Sequence, residues 1–330
     1  AKTSIEQVRA ASDIVDVIGA YLQLKRAGTA FKALCPFHKE KSPSFHVNPQ
    51  RQIFHCFGCG AGGSVFKFVM QHENVDFTTA IKLLAQRTSI VLQYEQGGED
   101  REEGAGKDAL YRLHEDLTRF YQKILLEHET GEPGRRYLQD RTLDGQVAAD
   151  FTLGFAPDRP DALGKWAEHR GVGMDLLQAA GVINRNDHGD GYYDRFRGRL
   201  MFPLRDEVGR VVGFSGRIIA KDQHPAKYVN SPETPIFRKS KLLFGLDRAR
   251  RDILESRTAL ICEGQIDVIR CHSAGLTAAV AGLGTALTEE HARLLRRYAD
   301  SVVLLLDADT AGQNSAMRSA DIFIQSGLTV

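Results

Sequence analysis

The 330-residue chain has no apolar run near 18 residues and no signal-peptide pattern at its N-terminus. It is therefore expected neither to span a membrane nor to be exported. It is also poor in cysteine. Five in 330 residues suit a reducing cytosol, and three of the five fall in one local pattern. The other two, Cys262 and Cys271, lie in apolar or mixed stretches and are expected to be packing residues, not a redox pair. Net charge of either sign is nearly absent, since 43 Lys/Arg against 42 Asp/Glu leave +1. That balance is uneven along the chain. Leu24 to Met70 holds seven basic residues and one acid, and Asp190 to Arg250 holds 13 basic and seven acidic, so each stretch carries +6. Two basic modules in a neutral chain suggest contact with a polyanion, although a solvated face is the plain reading of either one alone.

The clearest local pattern is Cys35-x2-His38, 17 intervening residues, then Cys56-x2-Cys59. Each pair sits on a tight turn that aims two side chains at one point, and two such turns make the tetrahedral N/S cage that Zn²⁺ prefers. The intervening residues are long enough for a β-hairpin. A closed four-ligand cage leaves no open position, so one zinc ion is expected to hold a fold and not to do chemistry. His46 and His55 compete with His38, but the x2 spacing favours His38. Glycines in CFGCGAGG supply the turn.

Around this pattern, Thr3 or Ser4 is expected to cap a first helix with an apolar stripe from Ile5 to Leu22. Residues 64–88 read as one or two helices. The glycine-rich, acidic segment 95–108 reads as a flexible linker. Its GAGKD lacks the spacing of a phosphate loop, with Arg101 and Asp108 at the critical positions. Domains are expected at 1–94 (zinc-binding), 109–256 (mixed and basic) and 257–330. Helix resumes at Ala109. RLMFPLRDEVGRVVGFSGRII alternates like an antiparallel hairpin with Glu207–Gly209 at its turn. From 257 onward, TALIC, LTAAVAG and SVVLLLD read as short apolar strands alternating with helices, which implies a parallel sheet with right-handed crossovers. The expected class is α+β and multidomain: a zinc ribbon with flanking helices, a mixed α/β domain, and a parallel α/β core.

Acids stand at the ends of two of those strands. Glu263 follows TALIC with Asp267 four residues on, and Asp307 and Asp309 follow SVVLLL. Each alone reads as a helix cap. As a set at strand C-termini of one parallel sheet they should converge, and buried carboxylates that converge need a hard divalent cation, Mg²⁺ above all or Mn²⁺.

At this point the chain resembles the bacterial DnaG-type primases. CPFHKEKSPSF and FHCFGCGAGGSVFKFV are similar to that family's zinc ribbon. YYDRFRGRLMFPLRDEVGRVVGFSGR and KYVNSPETPIFRKSKLLFGL are similar to its RNA polymerase domain, and CEGQIDVI, AGLGTALT and LLLDADTAGQNSA to its Toprim core. The resemblance implies synthesis of short RNA primers on single-stranded DNA templates from ribonucleoside triphosphates, in the cytoplasm at the replication fork beside a replicative helicase. It implies Glu263, Asp307 and Asp309, with Asp267 close by, as metal-binding acids. It implies Arg195, Arg197, Arg199, Arg217, Lys227 and Lys239 as the positions that face template, nucleotide and primer. Two departures stand out. The family's E-G-Y-M-D is E-G-Q-I-D here, and its D-G-D is D-A-D, which puts Ala308 in a tight loop. The resemblance further implies an Asp-Pro-Asp motif and a helicase-binding domain beyond GLTV, so these 330 residues are expected to be a weak primase by themselves. The rivals are another Toprim enzyme (a topoisomerase or nuclease) or a non-catalytic zinc and Toprim DNA-binding protein of the recombination-mediator type.

Overall fold

The computed structural model describes residues 2–73, 75, 77–90, 92, 98–186, 191–219, 226–284, 286–308 and 310–330. They form two compact units, Ala1–Arg101 and Glu102–Val330. Among the described residues, no helix is long and apolar enough to cross a membrane.

The first unit runs α1 (Lys2–Ala11), α2 (Ile14–Gly19), β1 (Lys25–Ala27), β2 (Ala30–Ala33), β3 (Phe45–Asn48), β4 (Ile53–Cys56), β5 (Gly62–Gly63), α3 (Val65–His72) and α4 (Phe77–Arg87). The strands form one antiparallel meander in chain order. One face of it is apolar. Phe45, Val47 and Phe54 bury against Val8, Ile14, Ile18, Phe66, Phe68 and Leu84 of the helices. Phe45 and Phe54 stack at 5.1 Å, with the edge of Phe68 against Phe54 at 5.6 Å. Two expectations are corrected. α1 already runs from Lys2, so neither Thr3 nor Ser4 precedes it as a cap. The Ile5–Leu22 stripe is not one helix but two, because Asp13 caps a new start. Its carboxylate accepts the Val15 and Asp16 amides at 2.8 and 3.3 Å, and Gln52 clamps the corner by donating to Asp13 and accepting the Ile14 amide.

The second unit begins within α5 (Gly98–Glu127), a single 30-residue helix. This corrects the linker reading for 98–108; residues 95–97 lie outside the described residues. Gly104 and Gly106, at about 1 kcal/mol each, do not stop the helix from extending back to Gly98. There follow α6 (Glu132–Asp140), α7 (Gly145–Asp150), β6 (Gly154–Ala156), α8 (Ala162–Arg170), α9 (Met174–Ala179), β7 (Ile183–Arg185), β8 (Tyr192–Asp194), β9 (Arg199–Arg205), β10 (Val211–Ile218), β11 (Tyr228–Asn230) and α10 (Leu246–Ser256). β9 and β10 are the expected antiparallel hairpin, pairing from Arg205↔Val211 to Arg199↔Ile218 within a four-stranded sheet ordered β11-β10-β9-β6. The hairpin turn is docked. Glu207 accepts from Arg297 and the Tyr298 hydroxyl, and its carbonyl accepts from Arg250.

The chain then alternates β12 (Thr258–Cys262), α11 (Gln265–Ser273), β13 (Ala279–Ala281), α12 (Glu289–Arg296), β14 (Ser301–Leu305) and α13 (Thr310–Gln325). β12 is the centre of a parallel sheet, with β13 on one side and β14 on the other. Residues either side of 256 share one core, in which Phe155, Leu200 and Phe202 pack with Cys262, Ile266 and Val268. Phe244 and Ala281 exchange backbone hydrogen bonds at 2.8 and 3.1 Å.

One buried acid makes the second unit sensitive to pH. Asp194, 3% exposed, accepts the Leu163 amide at the start of α8. The α8 N-cap residue Asp161 does not cap with its own side chain, which pairs instead with Arg159 and Lys165. Burial raises the Asp194 carboxyl from 3.8 to about 7. Between those two values the folded chain holds a proton that the unfolded chain releases, so stability falls as pH rises through the window. Asp194→Asn should remove this fall, an effect on the order of 2–4 kcal/mol between pH 4 and 7. Denaturant unfolding of both chains at the two pH values measures it; equal pH slopes would refute the assignment.

Candidate functional site

Cys35, His38, Cys56 and Cys59 meet in the first unit, with their ligand atoms all within 4.8 Å of one another. Among the described residues this is the only such group of metal-ligating side chains. Cys35 Sγ lies 3.8 Å from Cys59 Sγ, and Cys56 Sγ lies 3.8 Å from His38 Nδ1. A tetrahedral ion with metal–sulfur bonds of about 2.3 Å sets its sulfurs about 3.8 Å apart, so the donor set and its spacing both fit zinc. Backbone amides of Phe37 and Cys59 point at the sulfurs of Cys35 and Cys56. Burial pushes the Cys35 thiol up to about 12. At Cys56 burial acts the same way, but bonds from the Ser44 hydroxyl and the Cys59 and Gly58 amides bring it down to about 6.

Behind the cage stands a residue that motif reading missed. Glu40 faces His38 Nε2 at 3.3 Å, so the imidazole is held between a carboxylate and the cage. The same carboxylate accepts the Cys35 amide at 2.7 Å, the Ser44 amide at 3.1 Å and the Ser44 hydroxyl at 2.5 Å. Those bonds, Ser44 foremost, lower its pKa. Gly58 is required by contact, since a Cβ there would lie 2.6 Å from His38 Nε2. The competing histidines, His46 and His55, sit elsewhere. Strand register places Lys25, Lys32, His46 and His55 side by side across β1 to β4, on the sheet face opposite the core. Phe57 stands beside them, 71% exposed, with the two histidine rings edge-on at 4.8 and 4.7 Å. Phe45 and Phe54, by contrast, are core.

The second candidate centre lies at the C-terminal edge of the parallel sheet. The pairing Cys262↔Leu305 brings Glu263 next to Asp307, and the Asp307 amide donates to Glu263 Oε2 at 3.1 Å. Gly264, not Asp267, is the N-cap of α11. Asp267 stands in its first turn, and no hydrogen bond to its carboxylate is seen among the described residues. Glu263, Asp267 and Asp307 line one cavity of about 560 Å³. All three are exposed, so the desolvation cost expected of a buried carboxylate cluster does not arise; the strand ends open at a rim. Asp309 lies outside the described residues. Ala308 is not among the described residues with positive φ, so alanine fits this loop without strain. The close approach falls instead at Gly312, where a Cβ would lie 2.0 Å from the Asp307 carbonyl oxygen. Gln265, where the resembling family has tyrosine, is buried and donates to the Ser215 hydroxyl at 3.2 Å, tying the loop after Glu263 to β10.

The six basic candidates separate. Arg217 and Lys227 line the acid cavity, and Arg195, Arg197, Arg199 and Lys239 do not. Arg217 lies between the rings of Tyr137 and Tyr228, at 5.0 and 5.2 Å, and donates to the Tyr228 hydroxyl at 2.8 Å. Arg197 is exposed. Arg199 is a correction. It is 3% exposed and its guanidinium serves the carbonyls of Gly216 and Ala226, so it is engaged inside the fold and not presented at the surface. Arg195 is half-buried on the Asn230 carbonyl and the Asn184 side chain. The cavity also takes Arg141, just past α6, and Arg318, on α13. No motif marked either one; only the fold brings them there.

A Cys/His cage that fits zinc on a small antiparallel sheet, followed by acids at the ends of a parallel sheet, is the arrangement of the DnaG-type family that the sequence resembles. Comparison with known proteins agrees. Residues 1–100 match the CHC2 zinc finger of DnaG, 120–250 the N-terminal domain of the DNA primase catalytic core, and 260–330 a Toprim-like domain. A DNA primase of Halalkalibacterium halodurans is 42% identical over 327 residues, which cover 99% of this chain and 54% of that protein. The crystal structure of the zinc-binding and RNA polymerase domains of Aquifex aeolicus primase aligns with a TM-score of 0.63 at 35% identity, over 98% of this chain and 77% of that one. A DnaG primase catalytic domain bound to single-stranded DNA aligns at 0.59 and 38% identity, over 66% and 67%. The chain belongs to the bacterial DnaG-type DNA primase family. It spans about half the length of the curated relatives it matches.

The cage makes a direct prediction. Cys59→Ala should abolish stoichiometric zinc and loosen the first unit, read by metal analysis and thermal unfolding. Glu40→Gln, which touches no metal, should weaken zinc binding about 10–100-fold in a chelator competition. Wild-type affinity in that variant would remove Glu40 from the site.

Proposed function

We propose that this chain supplies the template-binding and nucleotidyl-transfer machinery of a DNA primase, which makes short RNA primers on single-stranded DNA from ribonucleoside triphosphates. The observation that carries this reading is the shared cavity. Carboxylates Glu263, Asp267 and Asp307 face the cations Arg217, Lys227, Arg141 and Arg318 across one opening. A ligand that satisfies both sets carries phosphates and divalent metal together.

In this reading Glu263, Asp267 and Asp307, with Asp309 added by resemblance, hold divalent cations, Mg²⁺ or Mn²⁺. When bound, these would lower the pKa of the attacking 3′-hydroxyl and offset charge on the α-phosphate. Lys227, exposed on the rim, and Arg217, held by its two tyrosines, bind the triphosphate and orient pyrophosphate as leaving group. Arg197, exposed outside the cavity, is assigned to the template strand with Lys239. In the first unit, the row Lys25, Lys32, His46 and His55 follows a phosphate backbone while Phe57 stacks on a base. The single-stranded DNA in the related catalytic-domain structure supports the choice of template. A replicative helicase partner and a cytoplasmic site of action at the fork are carried over from the family. The non-catalytic recombination-mediator reading is not favoured, because the match extends over a primase catalytic core.

The decisive variant is Asp307→Asn in a full-length protein containing this chain. The amide keeps size and hydrogen bonding but loses the charge, so the fold should persist while Mg²⁺-dependent primer synthesis drops on the order of 100-fold or more. Near-normal synthesis would overturn the acid assignment. Template binding is tested separately. Phe57→Ala should cost about 1–3 kcal/mol of single-stranded DNA affinity, and Lys32→Ala should reduce the salt slope by about 0.7. Fluorescence anisotropy at several salt concentrations reads both, and two unchanged variants would make this face mere surface.

A further inference from the structure

Two thiols, one of them lining the acid cavity, have no role in the reading above. Cys262 is the last residue of β12 and directly precedes Glu263; Cys271 lies on α11, one turn beyond Asp267. Their sulfurs are 3.7 Å apart. Cys262 is 3% exposed and lines the cavity, and Cys271 is half-buried at the protein surface. A disulfide needs about 2.05 Å, so the pair must close by roughly 1.7 Å. That motion is small, but both sulfurs belong to the segments that carry Glu263 and Asp267.

We propose that Cys262 and Cys271 form a redox modification site that takes a hydroperoxide and closes to a disulfide, displacing Asp267 relative to Glu263. Cys271, the more accessible of the two, reacts first. The Cys271 thiolate attacks one peroxide oxygen, the O–O bond breaks, and the leaving oxygen takes a proton to depart as alcohol or water. Cys271 is then a sulfenic acid. The Cys262 sulfur attacks Cys271 Sγ; the S–S bond forms, the S–O bond breaks, and hydroxide leaves as water with the Cys262 proton. Two thiols lose two electrons and two protons, and the peroxide gains them. A dithiol reductant reverses the change by exchange. The expectation that these cysteines are packing residues and not a redox pair is reversed in its second half: they pack within reach of each other.

The consequence for the acids rests on their reading as metal ligands, so the experiment reads the thiols and the metal separately. The zinc-loaded chain is treated with hydrogen peroxide and digested with trypsin, which cuts after Arg270 and leaves the two thiols on different peptides. Mass spectrometry should find those peptides joined and lighter by two hydrogens. Mn²⁺ titration followed by electron paramagnetic resonance should show affinity at least several-fold weaker after oxidation, restored by dithiothreitol. Cys271→Ser should bind Mn²⁺ equally before and after peroxide. Peptides that stay separate while the cage cysteines oxidise overturn the modification site. A disulfide that leaves Mn²⁺ affinity unchanged overturns its coupling to the acids. A reduced chain that never binds Mn²⁺ overturns the metal reading, while the peptide map still decides the thiol pair.

Discussion

The acid cavity depends on one constraint, the parallel register of β12 and β14. The two strands match residue for residue from Thr258↔Ser301 to Cys262↔Leu305, so they end on the same edge. Glu263 and Asp307 are the next charged positions on each, and the hydrogen bond between them follows from that ending. A one-residue slip would turn every side chain of one strand to the other face and separate the acids. The turn after β14 is equally constrained, because Gly312 is pressed against the Asp307 carbonyl. The cations reach the acids through a second link. Gln265 bonds to Ser215 of β10, and Asn230 of β11 donates to the Leu283 carbonyl at 2.9 Å. These ties bring the strand carrying Arg217, and Lys227 just before β11, to the edge of the parallel sheet.

The first unit answers a different problem. Its strands are two to four residues long, too short to hold a sheet without another crosslink. The cage is that crosslink, because it joins the turn after β2 to the turn after β4. Glu40 adds rigidity by serving a ligand ring, a ligand backbone and Ser44 at once. With the aromatic cluster on one face and metal ligands at the end, the other face is free of structural duty. A row of lysines and histidines can occupy it at little cost to stability.

Arginine content alone did not separate binding from building. Arg197 and Arg199 are two residues apart on a strand-like stretch, yet one is exposed and the other is buried beneath β10. A buried guanidinium is costly unless its donors are met, and two backbone carbonyls meet them here. Arg217 is intermediate, braced by tyrosines but open to the cavity. The basic excess in this part of the chain therefore divides between buried structural contacts and the cavity lining.

Local chemistry and spacing were legible in the residue order. The C-x2-H and C-x2-C pairs, the β9–β10 hairpin and the strand-then-acid pattern each declare themselves within about ten residues, because turn geometry and side-chain periodicity act over that range. The helix break at Asp13 and the helical 98–108 segment were misread, since capping by Asp13 was reinforced by Gln52 and two glycines did not stop the helix. Distant juxtapositions were not legible. Arg141 and Arg318 enter the cavity, Arg199 turns inward, and Cys262 meets Cys271 only after sheets and helices pack. The sequence by itself determined which residues make the Cys/His cage and where strands end. Tertiary structure decided which charges share a cavity, because that depends on distances across the fold that no local pattern encodes.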